Sequence, residues 1–311
     1  DNKDSIFEAW LDKKPKRRAR LTKKLSLKQL NQLKQNSLNY NNWIRTTGEA
    51  PVILDSLKTI KSKSNLEKYF FANGWFNREV TFEIERKENK RASVSYFVDS
   101  GEPYLLDSIT STIASPVVDT LYNKARTNSL LLKGEQFKAI DFENERERLT
   151  SDFRNSGVYH FSQDYIRFEN DTIGTNNNVN VNLQIQNRII RSEDSISRVP
   201  FKIYKIREVN IVTDDAFINR GKPYLDSIHY EGYNLFSYEK MKYRPQALTG
   251  AVLIAKGNKF SDIDRTRSYR YLNELNTFKY PNIEYVENDI DSTLTANIFL
   301  TPKKKYGLGF D

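Results

Sequence analysis

Apolar positions along the chain switch between two periods. Leu66 and Phe70 lie four apart, and Phe142, Leu149 and Phe153 lie seven and four apart, the spacing of one helix face. Each series stops at Asn73-Gly74 or Ser156-Gly157, where glycine can take the left-handed conformation that ends helices. Period two then takes over. Val80, Phe82 and Ile84 alternate with Glu79, Thr81, Glu83 and Glu85, and after a turn at 87–91 Ala92, Val94, Tyr96 and Val98 alternate with Ser93, Ser95 and Phe97. The clearest series, Val179, Val181, Leu183 and Ile185 between Asn180, Asn182, Gln184 and Gln186, predicts a strand with one wet and one buried face. Ile283 and Tyr285, a turn at 288–292, then Leu294, Ala296, Ile298 and Leu300 repeat the scheme.

The chain therefore repeats itself. Residues 133–149 and 256–272 align without a gap and share Lys133/Lys256, Gly134/Gly257, Phe137/Phe260, Ile140/Ile263, Asp141/Asp264 and Leu149/Leu272. An earlier copy aligns Leu66, Phe70, Gly74 and Phe76 with Leu149, Phe153, Gly157 and Tyr159, 83 residues on. The third copy carries extra sequence near 214–250 and has Asn276-Thr277 where the helix stop is expected. Strands are also predicted at 104–113 and 201–212, ahead of the helical parts of copies two and three. The unit is β-α-α-β-β, and the predicted fold class is α+β: tandem units, each a three-stranded mixed sheet with two helices on one face. The boundaries read as 1–102, 103–199 and 200–306, with 307–311 beginning something new. Copy one lacks a leading strand. Residues 1–44 read instead as Trp10, a basic segment, and a helix from Ser26 to about Leu38. The missing strand is expected upstream of residue 1, and the chain, which opens on Asp1, reads as a fragment or processed form.

Composition narrows the chemistry. At 38% hydrophobic residues the chain is too apolar for disorder, and no apolar run is long enough to span a bilayer. With no cysteine there are no disulfides, thiolate metal sites or cysteine nucleophiles. The two histidines, His160 and His229, lack metal-ligand spacing and read as ordinary surface or strand residues. Glu143, Glu145 and Glu147 interleave with Arg146 and Arg148 and read as a solvated helix face. Asp289 and Asp291 read as turn residues. No phosphate-binding glycine motif occurs.

Residues 13–24 hold eight Lys/Arg, all but one of the nine net positive charges. The rest of the chain is nearly neutral, which argues against nucleic acid as a partner. Lys16, Arg17, Arg18 and Arg20 are candidate contacts to anionic lipid head groups. The bland alternative, a solvated loop that aids solubility, is preferred.

A β-α-α-β-β unit whose helix ends in Asn73-Gly74-Trp75-Phe76 or Ser156-Gly157-Val158-Tyr159 before a hairpin, with Gly101-Glu102-Pro103-Tyr104 at the handover, resembles POTRA domains. These are the periplasmic modules preceding the barrel of the BamA/TamA family. Thr47 to Asp55 resembles part of the first such domain in its TamL lipoprotein branch. Lys303 to Phe310 resembles the passage into the first barrel strand. The resemblance implies no enzymatic activity and no cofactor. It implies a scaffold on the periplasmic side of the outer membrane that guides extended client polypeptides, with an inner-side periplasmic partner protein. It also implies that the second strand of each unit is a sheet edge. The candidate edges are residues 79–85, 164–169 and 282–287, with Val80, Phe82, Ile84, Ile166, Phe168, Ile283 and Tyr285 as candidate client-binding residues. Such an edge can accept a further strand. A secreted adhesion or polysaccharide-binding array is the alternative, with Trp10, Trp43 and Trp75 as candidate platforms. Triplets such as Asp107-Ser108-Ile109 and Asp226-Ser227-Ile228 look like an O-glycosylation sequon of exported proteins.

Overall fold

The computed structural model describes residues 15–47, 53–88, 91–191, 195–219, 221–288 and 290–303. Trp10, Asp289 and the segment 307–311 lie outside the described residues. The rest falls into two compact units: the described residues up to Ser62 with Glu85–Ser93, and Lys63–Ile84 with the described residues from Val94 on.

The first unit holds α1 (Pro15–Lys24), α2 (Leu27–Thr47) and the start of α3 (Ser56–Ala72). The basic segment is thus a helix, not the solvated loop preferred from sequence. Lys and Arg are good helix formers, and Pro15 stands at the first helical position, where its missing N–H costs nothing. The break between α1 and α2 is a capping box: the Ser26 N–H donates to Gln29 Oε1 at 3.0 Å and the Gln29 N–H to Ser26 Oγ at 3.4 Å. α2 runs well past Leu38. Asp55 caps α3, accepting from the Leu57 N–H at 2.8 Å.

β1 (Glu79–Arg86) and β2 (Ala92–Asp99), whose turn-proximal ends fall in the first unit, form a two-stranded sheet. Copy two follows as β3 (Leu105–Ile113), α4 (Pro116–Ala125), α5 (Ala139–Asn155), β4 (Ile166–Asp171) and β5 (Asn178–Ile185). Its sheet order is β3-β5-β4, with β5 central, parallel to β3 and antiparallel to β4. The inward residues of β5, Val179, Val181, Leu183 and Ile185, are all buried, joined by Leu149 and Phe153 of α5 and Val118 of α4. Each such side chain contributes about 1.5–3 kcal/mol through burial.

A ribbon of β6 (Arg188–Arg191) and β7 (Ile196–Val199), absent from the predicted plan, precedes copy three. That copy comprises β8 (Lys205–Val212), β9 (Asp226–Tyr230), β10 (Tyr233–Ser237), α6 (Pro245–Thr249), α7 (Asp262–Glu274), β11 (Phe278–Asn288) and β12 (Thr293–Pro302). The predicted three-stranded sheet is here five-stranded, ordered β11-β12-β8-β10-β9. The extra sequence folds as a hairpin that pairs with β8, and Asp214 pins it. Asp214 accepts from the Ser237 hydroxyl at 2.9 Å and from the Tyr238 N–H at 3.0 Å. Side-chain amides then run in register across the sheet. Asn234 donates to Asn210 at 3.0 Å, Asn210 donates to Asn297 at 2.9 Å, and His229 joins Asn234 at 2.9 Å.

The three helix ends obey one rule with one exception. Gly74 and Gly157 both take positive φ (+90° and +104°). Trp75 and Val158 return their N–H groups to Phe70 and Phe153, and the glycines return theirs to Phe71 and Arg154. This is the Schellman pattern. Its apolar clasp in copy one is Trp75 on Phe70, ring centroids 5.4 Å apart. α7 stops about one turn earlier, with Asn276 (φ +52°) in the left-handed position.

Candidate functional site

The glycines that end α3 and α5 also build joints. At the first, Tyr104 donates its N–H to the Gly74 carbonyl at 2.9 Å, Phe137 donates to Tyr104 at 2.9 Å, and Leu106 donates to Glu135 at 2.8 Å. At the second, the same bonds recur between Tyr204 and Gly157 (2.8 Å), Phe260 and Tyr204 (2.9 Å), and Ile206 and Asn258 (2.8 Å). Aromatic rings cover both. Phe76 lies 4.8 Å from Tyr104 and 5.1 Å from Phe137, and Tyr159 lies 5.9 Å from Tyr204 and 4.9 Å from Phe260. Each copy therefore hands over to the next through a bonded, packed contact.

The second joint adds charge. Arg154 forms a bidentate pair with Asp262, through Nε to Oδ2 and Nη2 to Oδ1, and donates to the carbonyls of Tyr159 (2.7 Å) and Phe161 (3.0 Å). Hydrogen bonding to Asp262 raises the Arg154 pKa against the pull of burial. Beside it, His160 Nε2 lies 2.8 Å from Glu287 Oε2, and the Tyr204 hydroxyl donates to Glu287 Oε1. Burial and nearby Arg188 lower the His160 pKa, partly offset by Glu287. Burial, then Glu287, pushes Tyr204 up to about 12. His160, read from sequence as an ordinary surface residue, is a joint residue. Arg154, Asp262 and Glu287 were not singled out at all.

Of the edges, β11 reaches the second joint through Glu287 and Tyr285. β4 and β11 each end their sheet, and β1 stands in a two-stranded one. Of the candidate residues, Val80, Ile166 and Ile283 are buried, while Phe82, Ile84, Phe168 and Tyr285 are half-buried. Their side chains serve the core; what a strand edge offers outward is backbone. Along β11 the ladder breaks between Lys279 and Asn282, where Tyr280 takes φ +43° and is 85% exposed. Pro281 has no N–H to offer there, so the long unbroken stretch of pairing runs from 282 to 288, with only Phe278 and Lys279 paired before the break.

No protein-family model matches the chain, and none of the curated proteins does. Among solved structures it is similar to POTRA3–5 of BamA from Haemophilus influenzae. The identity is 10%, over 78% of this chain and 80% of that one, with a TM-score of 0.37. It is similar also to BamA from Haemophilus ducreyi lacking POTRA domains 1–3 (8% identity, 64% of this chain and 30% of that one, TM-score 0.42). A third is POTRA1–3 of Omp85 from Anabaena (11% identity, 78% and 81%, TM-score 0.27).

The remaining candidates are placed as follows. Lys16 and Arg20 are exposed on α1, which also carries Arg17 and Arg18. Trp75 is committed to its helix end, and Trp43 is exposed on α2 beside Tyr40. Glu145, expected on a solvated face, is buried. It accepts from Ser129 Oγ and the Leu130 N–H at 3.0 Å each, and from Arg148. Among the described residues no group of three metal-ligating side chains occurs, and no helix is long and apolar enough to cross a membrane. Ser108 is tied to Asn180 at 2.6 Å, whereas Ser227 is exposed.

Proposed function

We propose that the chain is a non-enzymatic scaffold of POTRA-like modules, with boundaries near residues 102 and 199. On this reading it stands on the periplasmic side of the outer membrane and guides extended client polypeptides during protein assembly or translocation. The observation that carries the reading is the repeated sheet order: in copies two and three the second strand of the unit lies at an edge, and bonded joints connect the copies. A client adding as a strand would bind through main-chain hydrogen bonds, with little demand on its sequence. Ordering the client offsets much of that gain, so affinity is weak, as suits transient handling. An inner-side periplasmic partner protein would meet the chain at its other surfaces, and α1 would contribute electrostatic contact with anionic lipid. The segment Thr47 to Asp55 supports the TamL lipoprotein branch as the finer placement.

Proline substitution in the β11 edge at Glu284 tests the reading, with Glu284→Ala as control. Glu284 is exposed, so its side chain is expendable. Site-specific photo-crosslinking to extended client should be lost in Glu284→Pro and kept in Glu284→Ala, with the unfolding transition retained in both. Crosslinking that survives the proline in a folded chain would remove edge pairing as the mode of binding.

A further inference from the structure

Copies two and three also differ in the rings that run from joint to sheet edge. In copy two a column of rings runs from joint to sheet edge: Phe76 to Phe137 at 5.1 Å, Phe137 to Phe142 at 4.9 Å, and Phe142 to Phe168 at 5.1 Å. The aligned residues of copy three are Tyr159, Phe260, Arg265 and Tyr285. The edge-strand alignment follows from pairing: Ile166 faces Ile185 and Phe168 faces Leu183, as Ile283 faces Ile298 and Tyr285 faces Ala296. Tyr159 to Phe260 (4.9 Å) and Phe260 to Tyr285 (5.2 Å) preserve the outer rings. The ring that would correspond to Phe142 is replaced by a guanidinium.

A cleft of about 720 Å³ opens here, lined by Tyr159, His160, Phe260, Arg265, Ile283 and Tyr285 among others, against the β11 edge. Arg154 on its wall is spent on Asp262, and Glu284 on its rim accepts from Asn282. Arg265 makes no ion pair or side-chain hydrogen bond among the described residues. In copy two the comparable space is occupied by the chain itself. The Phe142 ring sits against Phe168, and the Arg146 guanidinium lies 5.6 Å from the Phe168 centroid.

We infer that the β11 edge, rather than β4, takes the extended segment, and that the segment places one aromatic side chain in this cleft. The ring packs against the half-buried Tyr285, which with Tyr159 covers the buried Phe260, and takes the Arg265 guanidinium on its free face. Alternate side chains of an added strand fall on one side, so one residue of the client reaches the cleft while main-chain bonds hold its neighbours. Aromatic packing acts at centroid separations of about 4.5–7 Å and cation–π attraction within about 6 Å, and the rings of copy two stand 4.9–5.1 Å apart. This inference rests on the scaffold reading above.

The test uses the full chain and two labelled peptides of alternating Val and Thr, one with a central Phe and one with a central Ser, followed by fluorescence anisotropy. The Phe peptide should bind about tenfold more tightly. Arg265→Phe, which supplies the ring in cis as copy two does, should abolish that preference while leaving the unfolding midpoint in place. A peptide with benzoylphenylalanine at the centre gives a readout independent of any variant, and should label α7 and β11. Equal binding of the two peptides overturns the inference but leaves the scaffold reading standing. So does labelling of α5 and β4, or a preference that survives in folded Arg265→Phe. Binding of neither peptide overturns both.

Discussion

The backbone N–H of Tyr204 donates to the carbonyl of Gly157 at 2.8 Å, reproducing the bond from Tyr104 to Gly74, each tyrosine standing immediately before the strand that follows its joint. Glycine at a helix end is usually explained by φ alone. Here a second demand acts, because a Cβ on Gly74 would lie 2.7 Å from the Phe137 carbonyl oxygen. One on Gly157 would lie 2.7 Å from Ile203 Cγ2 and 3.3 Å from the Tyr204 oxygen.

Gly134 separates the two demands. It has φ +88°, almost that of Gly74, yet a Cβ there meets nothing within 4 Å. Gly134→Ala should cost about 1–2 kcal/mol from left-handed strain. Gly74→Ala adds a clash with backbone that cannot rotate away, about 1–3 kcal/mol more. Urea denaturation gives the difference. Hydrogen exchange should show the Tyr104 amide losing protection in Gly74→Ala and keeping it in Gly134→Ala. Equal costs for the two would mean that the joint does not press on Gly74.

Glu145 and Ser268 occupy aligned positions of α5 and α7 and do the same work. Glu145 accepts from the Leu130 N–H at 3.0 Å, and Ser268 accepts from the Leu253 N–H at 2.8 Å. Burial alone would raise the Glu145 pKa, but Arg148 and the Leu130 N–H hold it below the usual carboxylate range. A carboxylate lowered on folding contributes stability in full above its unfolded pKa, about 4.3, and loses it as pH falls through the lower folded value. Glu145→Gln should therefore cost about 3 kcal/mol near pH 7, since it breaks a buried pair. The gap between variant and parent should close below about pH 4. A gap independent of pH would show that packing, not charge, is what Glu145 supplies.

Period-two alternation and helix-stop glycines made the strands and the α3 and α5 ends legible, because each is a local demand on a few neighbouring residues. The hairpin at 226–237 was visible as excess length and as a strand pattern around His229, but its place in the sheet was not, since its partner strand β8 lies before it and nothing in its own alternation names that partner. α1 was misjudged as a solvated loop, although the helix preference of Lys and Arg decides locally and the Ser26–Gln29 box then sets where α2 begins. The joint was in reach. In the aligned copies Phe71 becomes Arg154 and Ala139 becomes Asp262. That paired change, from apolar to opposite charges, is what a contact between those two positions leaves behind, and Arg154 and Asp262 form an ion pair there.

His160 gives the second joint a pH response. Its folded pKa is lowered, first by burial and then by Arg188, with Arg154 adding and Glu287 opposing. A histidine depressed on folding binds its proton more readily when unfolded, so stability falls as pH drops below about 6.5. Tyr204 stays protonated through that range. The thermal midpoint should decline from pH 7.5 to pH 5.5, and His160→Gln, which keeps a donor toward Glu287, should flatten that part of the profile. An undiminished slope in His160→Gln would assign the response elsewhere.

Lys16 and Arg20 are exposed and four apart, so they share one side of α1 with no acidic residue between Lys13 and Lys24. A basic residue near an anionic bilayer surface gains about 1 kcal/mol, and the gain decays within a Debye length. If α1 contacts lipid, binding of the chain to phosphatidylserine-containing vesicles should weaken as salt rises from about 0.1 M to about 1 M, where the Debye length falls to about 3 Å. Lys16→Glu with Arg20→Glu should weaken it at low salt by at least about tenfold, because two attractions become repulsions. Reversing Arg17 and Arg18 as well should lower it further. The helix itself should survive, since Glu is as good a helix former as Lys or Arg and an acid at position 16, in the first turn, favours the macrodipole. Binding indifferent to salt and to all four reversals would leave α1 as a solvated helix with no lipid role.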